Sequence, residues 1–224
     1  MPLDNKLARK FRRTYNADLL PVGLSEALLC DIVEWDGFIR KKIDLEFISL
    51  VDILKIPDDK RSSLMSRLSG VTLQPAAFKQ ITIDQEFDIK GGADIPNFAA
   101  SVGAGVGFSN FVNFIIEDVQ GKVLARDLKV ELIRLISQAK EVDRKYFRQE
   151  LKKLFFIDKL YYAGKASFEV RSSAKANLEA ALGGSGLANP SIAFTSSGNI
   201  KVTMGGNLEI PFAADIEPCT DLID

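Results

Sequence analysis

Residues 162–182 (YAGKASFEVRSSAKANLEAAL) and 190–212 (PSIAFTSSGNIKVTMGGNLEIPF) alternate along most of their length between two kinds of side chain. In the first stretch the even positions are apolar or small: Ala166, Phe168, Val170, Ala174, Ala176, Leu178 and Ala180. Lys165, Ser167, Glu169, Arg171, Ser173, Lys175, Asn177 and Glu179 fall between them. In the second, Ile192, Phe194, Ile200, Val202, Met204, Leu208, Ile210 and Phe212 share even positions, opposite Thr195, Ser197, Asn199, Lys201, Thr203, Asn207 and Glu209. A period of two puts one kind of residue on each face of a β-strand. Gly183-Gly184-Ser185-Gly186 supplies a turn, so the segment is expected to form a hairpin over about 162–212.

A second pair of runs lies upstream. Ile81, Ile83, Phe87 and Ile89 alternate with Gln80, Thr82, Asp84, Glu86, Asp88 and Lys90. Ala100, Val102, Ala104, Val106, Phe108, Val112, Phe114 and Ile116 follow with the same spacing, interleaved at first with Ser101, Gly103, Gly105, Gly107 and Ser109. This gives a hairpin over about 79–117, whose glycine-rich half is a weak, adaptable strand because Gly adds no packing and loses more entropy on ordering. Strands in soluble proteins commonly run about 5 or 6 residues, and a membrane-spanning strand needs about 9 to 11. All four runs reach that length, with one face suited to lipid and one to water. A curved antiparallel sheet in a soluble lipid- or ligand-binding β-rich protein would show the same pattern, and alternation does not separate the two.

Residues 5–16 are expected to be helical. Leu3, Leu7, Phe11 and Tyr15 recur every four residues, and Lys6, Arg9, Lys10, Arg12 and Arg13 surround them. Each basic side chain near an anionic bilayer is worth about 1 kcal/mol. With Leu3, Leu7 and Phe11 entering the interface, that suffices for reversible docking. Two further amphipathic helices are expected, over 126–140 (Leu128, Leu132, Leu135, Ile136) and 141–157 (Tyr146, Phe147, Leu151, Leu154, Phe155). Short strands are expected near 28–34 and 38–43, around Asp36-Gly37. The fold class that results is α+β: a twisted, largely antiparallel β-sheet with amphipathic helices packed around it, and long hairpins able to become transmembrane strands.

Composition removes whole classes of function. A chain of 224 residues with net charge −1 offers no general attraction for nucleic acid. It has no histidine, which takes away the usual general base, the common nucleophile pairs and the commonest metal ligand. Cys30 and Cys219 are too few for a disulfide framework or a zinc site. No catalytic residues, metal ligands or cofactor are expected, and the chain is not expected to be an enzyme. A charged N-terminus and the lack of an apolar run of about 18 residues predict neither a secretion signal nor a transmembrane helix, hence a cytoplasmic setting.

Asp18-Leu19-Leu20-Pro21-Val22, Leu24-Ser25-Glu26-Ala27, Cys30 with Ile32-Val33, Arg40-Lys41-Lys42 and Leu50-Val51-Asp52-Ile53-Leu54 occur in that order. This block, followed by the helices and Ile210-Pro211-Phe212, resembles the pore-forming domain of the gasdermins, in their compact bacterial or fungal form. The resemblance implies a pore-forming domain over 1–212 and a short tail over 213–224, autoinhibitory or left after trimming. It implies an acidic phospholipid membrane as partner, bound through Lys6, Leu7, Arg9, Lys10, Phe11, Arg12 and Arg13. The inserted strands would carry Ile81, Ile83, Phe87, Ile89, Val102, Val106, Phe108, Val112 and Phe114 in one hairpin. Phe168, Val170, Leu178, Ile192, Phe194, Ile200, Val202 and Met204 would serve the other. The pore would be a homo-oligomer, or a hetero-oligomer with a related chain, triggered by an activating protease or a partner protein, with no nucleic acid involved. The protein would be cytoplasmic when inactive and at the cell membrane when active, causing lytic cell death or defence. Several bacterial gasdermins carry a lipidated Cys near the N-terminus; here none precedes Cys30.

Overall fold

Long alternating runs must find partners for their backbone N–H and C=O groups, and here they find one another. The computed structural model describes residues 11–20, 29–34, 58–84, 110–138, 154–184, 190–205 and 211–222. The strands are β1 (Asp18–Leu19), β2 (Ile32–Glu34), β3 (Gln74–Pro75), β4 (Gln80–Asp84), β5 (Phe111–Glu117), β6 (Gln120–Val123), β7 (Leu154–Tyr162), β8 (Lys165–Val170), β9 (Ser191–Phe194), β10 (Ile200–Gly205) and β11 (Pro211–Pro218). The helices are α1 (Asp58–Ser69), α2 (Arg126–Gln138) and α3 (Lys175–Gly184), and residues 11–15 are also helical. Five strands form an antiparallel sheet in the order β4-β5-β8-β10-β9. A second sheet has the order β1-β11-β7-β6-β3, with β2 also paired to β7. The class is α+β, as the sequence predicts.

The chain divides into two compact units with interleaved segments: Met1–Glu26, Gln74–Gly121 and Tyr161–Ala213 in one, Ala27–Leu73, Lys122–Leu160 and Ala214–Asp224 in the other. The first unit holds the five-stranded sheet and a core of Phe11, Ile81, Phe114, Ile116, Phe168, Val170, Leu178, Ile200, Val202, Met204 and Phe212, among others. Its three strand-to-strand corners lie close together. Ala76 N–H donates to the Val119 carbonyl, Val119 N–H to that of Lys79, and Gly164 N–H to that of Asp118. A Cβ on Gly164 would stand 2.7 Å from the Asp118 carbonyl oxygen, so the corner requires glycine. In the second unit Leu64 and Leu68 of α1, and Leu128 and Leu132 of α2, are buried at i,i+4 spacing. Arg67, in the last turn of α1, bonds Asp127 at 2.7 Å and also Glu131, one turn apart on α2.

Three sequence expectations change. The run 162–182 is not one strand: β8 ends at Val170, a 3-10 turn covers Ser172–Ala174, and α3 follows. Positions 174, 178 and 182 are both even-numbered and four apart, so strand and helix periods select the same residues. The tie is broken by Ala176 and Ala180, which a strand would bury with them and which are exposed; Ala, Leu, Glu and Lys also favour a helix. Second, the return run 190–212 folds back on itself as β9 and β10, through a turn where Thr195 N–H donates to the Asn199 carbonyl and Gly198 adopts φ +80°. Third, residues expected to finish a helix over 141–157 are strand β7 from Leu154 onward. Its apolar run is buried on both faces, at Phe156, Ile157, Leu160 and Tyr161, and in so short a run periodicity cannot separate helix from strand. Helix α1 had no counterpart in the sequence reading, since Leu64 and Leu68 are its only buried residues. The strand expected over 38–43 lies outside the described residues.

Candidate functional site

The pairing registers sort the five-stranded sheet into rows. One row runs Ile81, Ile116, Ala166, Met204; the next joins position 83 to Phe114, Phe168, Val202 and Ile192; a third joins position 111 to Val170, Ile200 and Phe194. Between them lie Gln80, Glu117 and Lys165, then Thr82, Ile115, Ser167, Thr203 and Ser191, then a row joining position 84 to Asn113, Glu169, Lys201 and Ala193. Alternate rows occupy opposite faces, so one face is apolar from β4 to β9 and the other is predominantly polar. Lys165 and Glu117, adjacent in register on β8 and β5, form an ion pair at 3.4 Å across that polar face.

The apolar face is closed over most of its width. Ile81, Phe114, Phe168, Val170, Ile200, Val202 and Met204 are all buried, under cover that includes Phe11, Ala174 and Leu178. The cover stops short of β9, where Ile192 is 50% and Phe194 65% exposed. The Lys175 ammonium stands 5.9 Å from the Phe194 ring centroid. A neighbouring backbone irregularity sits on β5, where the register shifts between Phe111 and Asn113 and leaves Val112 half-buried in a bulge.

No protein-family model and no curated protein matches the chain. The solved structure of a bacterial gasdermin from Bradyrhizobium tropiciagri does, over 93% of this chain and 84% of that one, with a TM-score of 0.50 and 11% identity. The fold is gasdermin-like. Within it, the residues that sequence assigned to the gasdermin-type hairpins Ile81, Phe114, Phe168, Val170, Ile192, Phe194, Ile200, Val202 and Met204 share one face of one sheet. Leu178 does not join them: it is buried on α3, a helix where a strand was expected. Phe87, Ile89, Val102, Val106 and Phe108 lie outside the described residues, and of Ile83 only the backbone pairing is described.

The basic segment that the sequence places over 5–16 is described from residue 11. Phe11 is 1% exposed in the core, while Arg12 and Arg13 face outward. Phe11 packs against Tyr15 at 4.9 Å, Tyr15 against Phe78 at 5.2 Å and Phe78 against Tyr161 at 4.7 Å between ring centroids, each pair tilted. The helix ends at Asn16, whose N–H reaches the Arg12 carbonyl with φ 53°, a left-handed cap that Asn tolerates. Arg12 lies 3.7 Å from Asp18 across that cap. Lys6, Leu7, Arg9 and Lys10 fall outside the described residues.

In the second unit residues 214–222 are built into the structure. Strand β11 runs to Pro218, and a 3-10 turn over Cys219–Leu222 buries Cys219 and Leu222. The Lys129 ammonium lies 2.8 Å from Asp158 and 2.7 Å from Glu217, and 5.6 Å above the Phe156 ring. Burial lowers its pKa, but the hydrogen bonds to Asp158 and Glu217 prevail and hold it above the ordinary lysine value. Lys159 pairs with Asp215 at 3.1 Å. Burial pushes both thiols up to about 12, helped at Cys30 by Asp31 and Asp158 and at Cys219 by Asp221. Neither thiol is thereby a nucleophile at neutral pH. Among the described residues no cluster of three or more His, Cys, Asp or Glu side chains could hold a metal. The sequence carried no signal for the Lys129 pairs, which join residues distant along the chain, nor for the exposure of Ile192 and Phe194.

Proposed function

We propose that the protein perforates membranes without enzymatic chemistry: it binds acidic phospholipid, oligomerises and inserts strands of the five-stranded sheet as part of a large β-barrel pore, causing lytic cell death or defence. The observation that carries this reading is the sheet itself, in which unbroken rows make one face apolar and the other predominantly polar, within a gasdermin-like fold. A barrel strand needs that division between lipid and lumen. The inactive form is cytoplasmic and the active form sits in the cell membrane. Partners are further copies of the chain or a related chain, with a protease or partner protein as trigger. The pore-forming domain spans 1–212, and the tail over 213–224 restrains it.

Docking uses Lys6, Leu7, Arg9, Lys10, Phe11, Arg12 and Arg13. Because Phe11 lies in the core, the basic side chains meet lipid first and Phe11 follows only after leaving its aromatic neighbours. Dye release from liposomes tests the reading. Vesicles containing anionic lipid should leak and neutral ones should not, and joint Arg12→Glu and Arg13→Glu substitution should suppress the leak. No leakage from anionic vesicles by the activated protein would instead favour a soluble lipid- or ligand-binding protein.

A further inference from the structure

Two polar atoms on the second face of the five-stranded sheet are closed off from water and have no hydrogen-bond partner: Ser167 Oγ on β8 and Asn113 Oδ1 on β5. Ser167 is wholly buried. It stands at the centre of the row Thr82, Ile115, Ser167, Thr203, Ser191, whose outer members Thr82 and Ser191 are exposed. Asn113 occupies the next row, on the adjacent strand. The pattern is inverted with respect to an ordinary core, where a buried hydroxyl or amide oxygen is almost always paired. Leaving such a group unpaired costs the folded form its desolvation. An apolar residue of similar size at Ser167 would avoid that cost, so soluble stability alone does not account for a serine there.

We propose that Ser167 and Asn113 are conformational drivers: unpaired polar atoms held dry in the soluble sheet, whose hydration when this face turns to a water-filled lumen favours conversion to the pore. This rests on the pore-forming reading above and adds to it the source of part of the driving force. Both residues sit on the face opposite Phe114, Phe168 and Val202, so the movement that gives those side chains to lipid gives Ser167 and Asn113 to water. The soluble form is thereby destabilised locally, on the neighbouring strands β5 and β8, whose pairing must persist through insertion. The unpaired atoms weaken the soluble burial of that strand pair without weakening the pair itself.

The test is Ser167→Ala, with Thr82→Val as its companion in the same row. Thr82 is exposed in the soluble form, so its substitution alters the lumen face without relieving any buried group. Ser167→Ala should raise the denaturant midpoint of the soluble protein and slow dye release from anionic liposomes about tenfold, equivalent to about 1.4 kcal/mol. Thr82→Val should leave the midpoint near that of the unsubstituted protein and slow release less than Ser167→Ala does. The proposal is overturned if Ser167→Ala lowers the midpoint, if release is unslowed although the midpoint rises, or if Thr82→Val slows release equally. A failure of the unsubstituted protein to release dye would count against the pore-forming reading, and so is distinguishable from these outcomes.

Discussion

Replacing Ile192 by lysine should separate folding from insertion more cleanly than any substitution in the buried part of the sheet. Ile192 is in register with Val202, and through it with Phe168 and Phe114, so it belongs to the row assigned to lipid. Yet it is 50% exposed, whereas Val202 is wholly buried. Full burial of an isoleucine is worth about 1.5–3 kcal/mol, so half of it puts roughly 1 kcal/mol of soluble stability at risk. Part of that is recovered as the lysine stem lies along the apolar surface with its ammonium in water. On a lipid-facing barrel position at the bilayer midplane the same lysine costs about 2–4 kcal/mol in each copy. The expected outcome is a folded protein whose denaturant midpoint falls slightly and whose leakage rate drops by a factor of about 30 or more. Far-ultraviolet circular dichroism and denaturant titration report the first, and dye release from anionic liposomes the second. A folded Ile192→Lys protein that releases dye at the unsubstituted rate would refute the assignment of this row to lipid. Val202→Lys could not decide the matter, because it would bury a charge in the soluble core.

Two further outcomes follow from local geometry. Gly164→Ala places a Cβ 2.7 Å from the Asp118 carbonyl oxygen and 2.9 Å from the Asp118 Cβ, and should cost about 1–3 kcal/mol; an unchanged denaturant midpoint would show that the corner yields freely. Cys30 and Cys219 should resist thiol reagents at neutral pH in the native protein and react once it is unfolded. Because burial raises both thiol values from 9.0 to about 12, the folded form holds protons that the unfolded chain releases. Their contribution to stability is therefore intact below about pH 9 and lost as pH rises toward 12. Thermal unfolding above pH 9 should be less steeply pH-dependent in the Cys30→Ala, Cys219→Ala double variant, and an identical alkaline loss in the two proteins would remove the thiols as its cause.

The two-faced character of the sheet was legible in the alternation of 79–84, 111–117, 165–170 and 200–205, because strand geometry assigns neighbouring residues to opposite faces whatever surrounds them. The same local rule made α2 legible through Leu128 and Leu132. It failed where two periods coincide, at Ala174, Leu178 and Leu182, and in the doubly buried β7, where no wet face remains to mark a period. Sequence also gave the basic character of the N-terminal helix, but not that Phe11 is in the core beneath Arg12 and Arg13. Burial depends on which surfaces meet, and those meetings are set by residues far apart in the chain: Phe78 and Tyr161 for the helix, Asp158 and Glu217 for Lys129. For the same reason only the tertiary structure distinguished the half-exposed Ile192 from the buried Val202 beside it, and found Ser167 dry and unpaired on a face that its sequence neighbours Lys165 and Glu169 mark as wet.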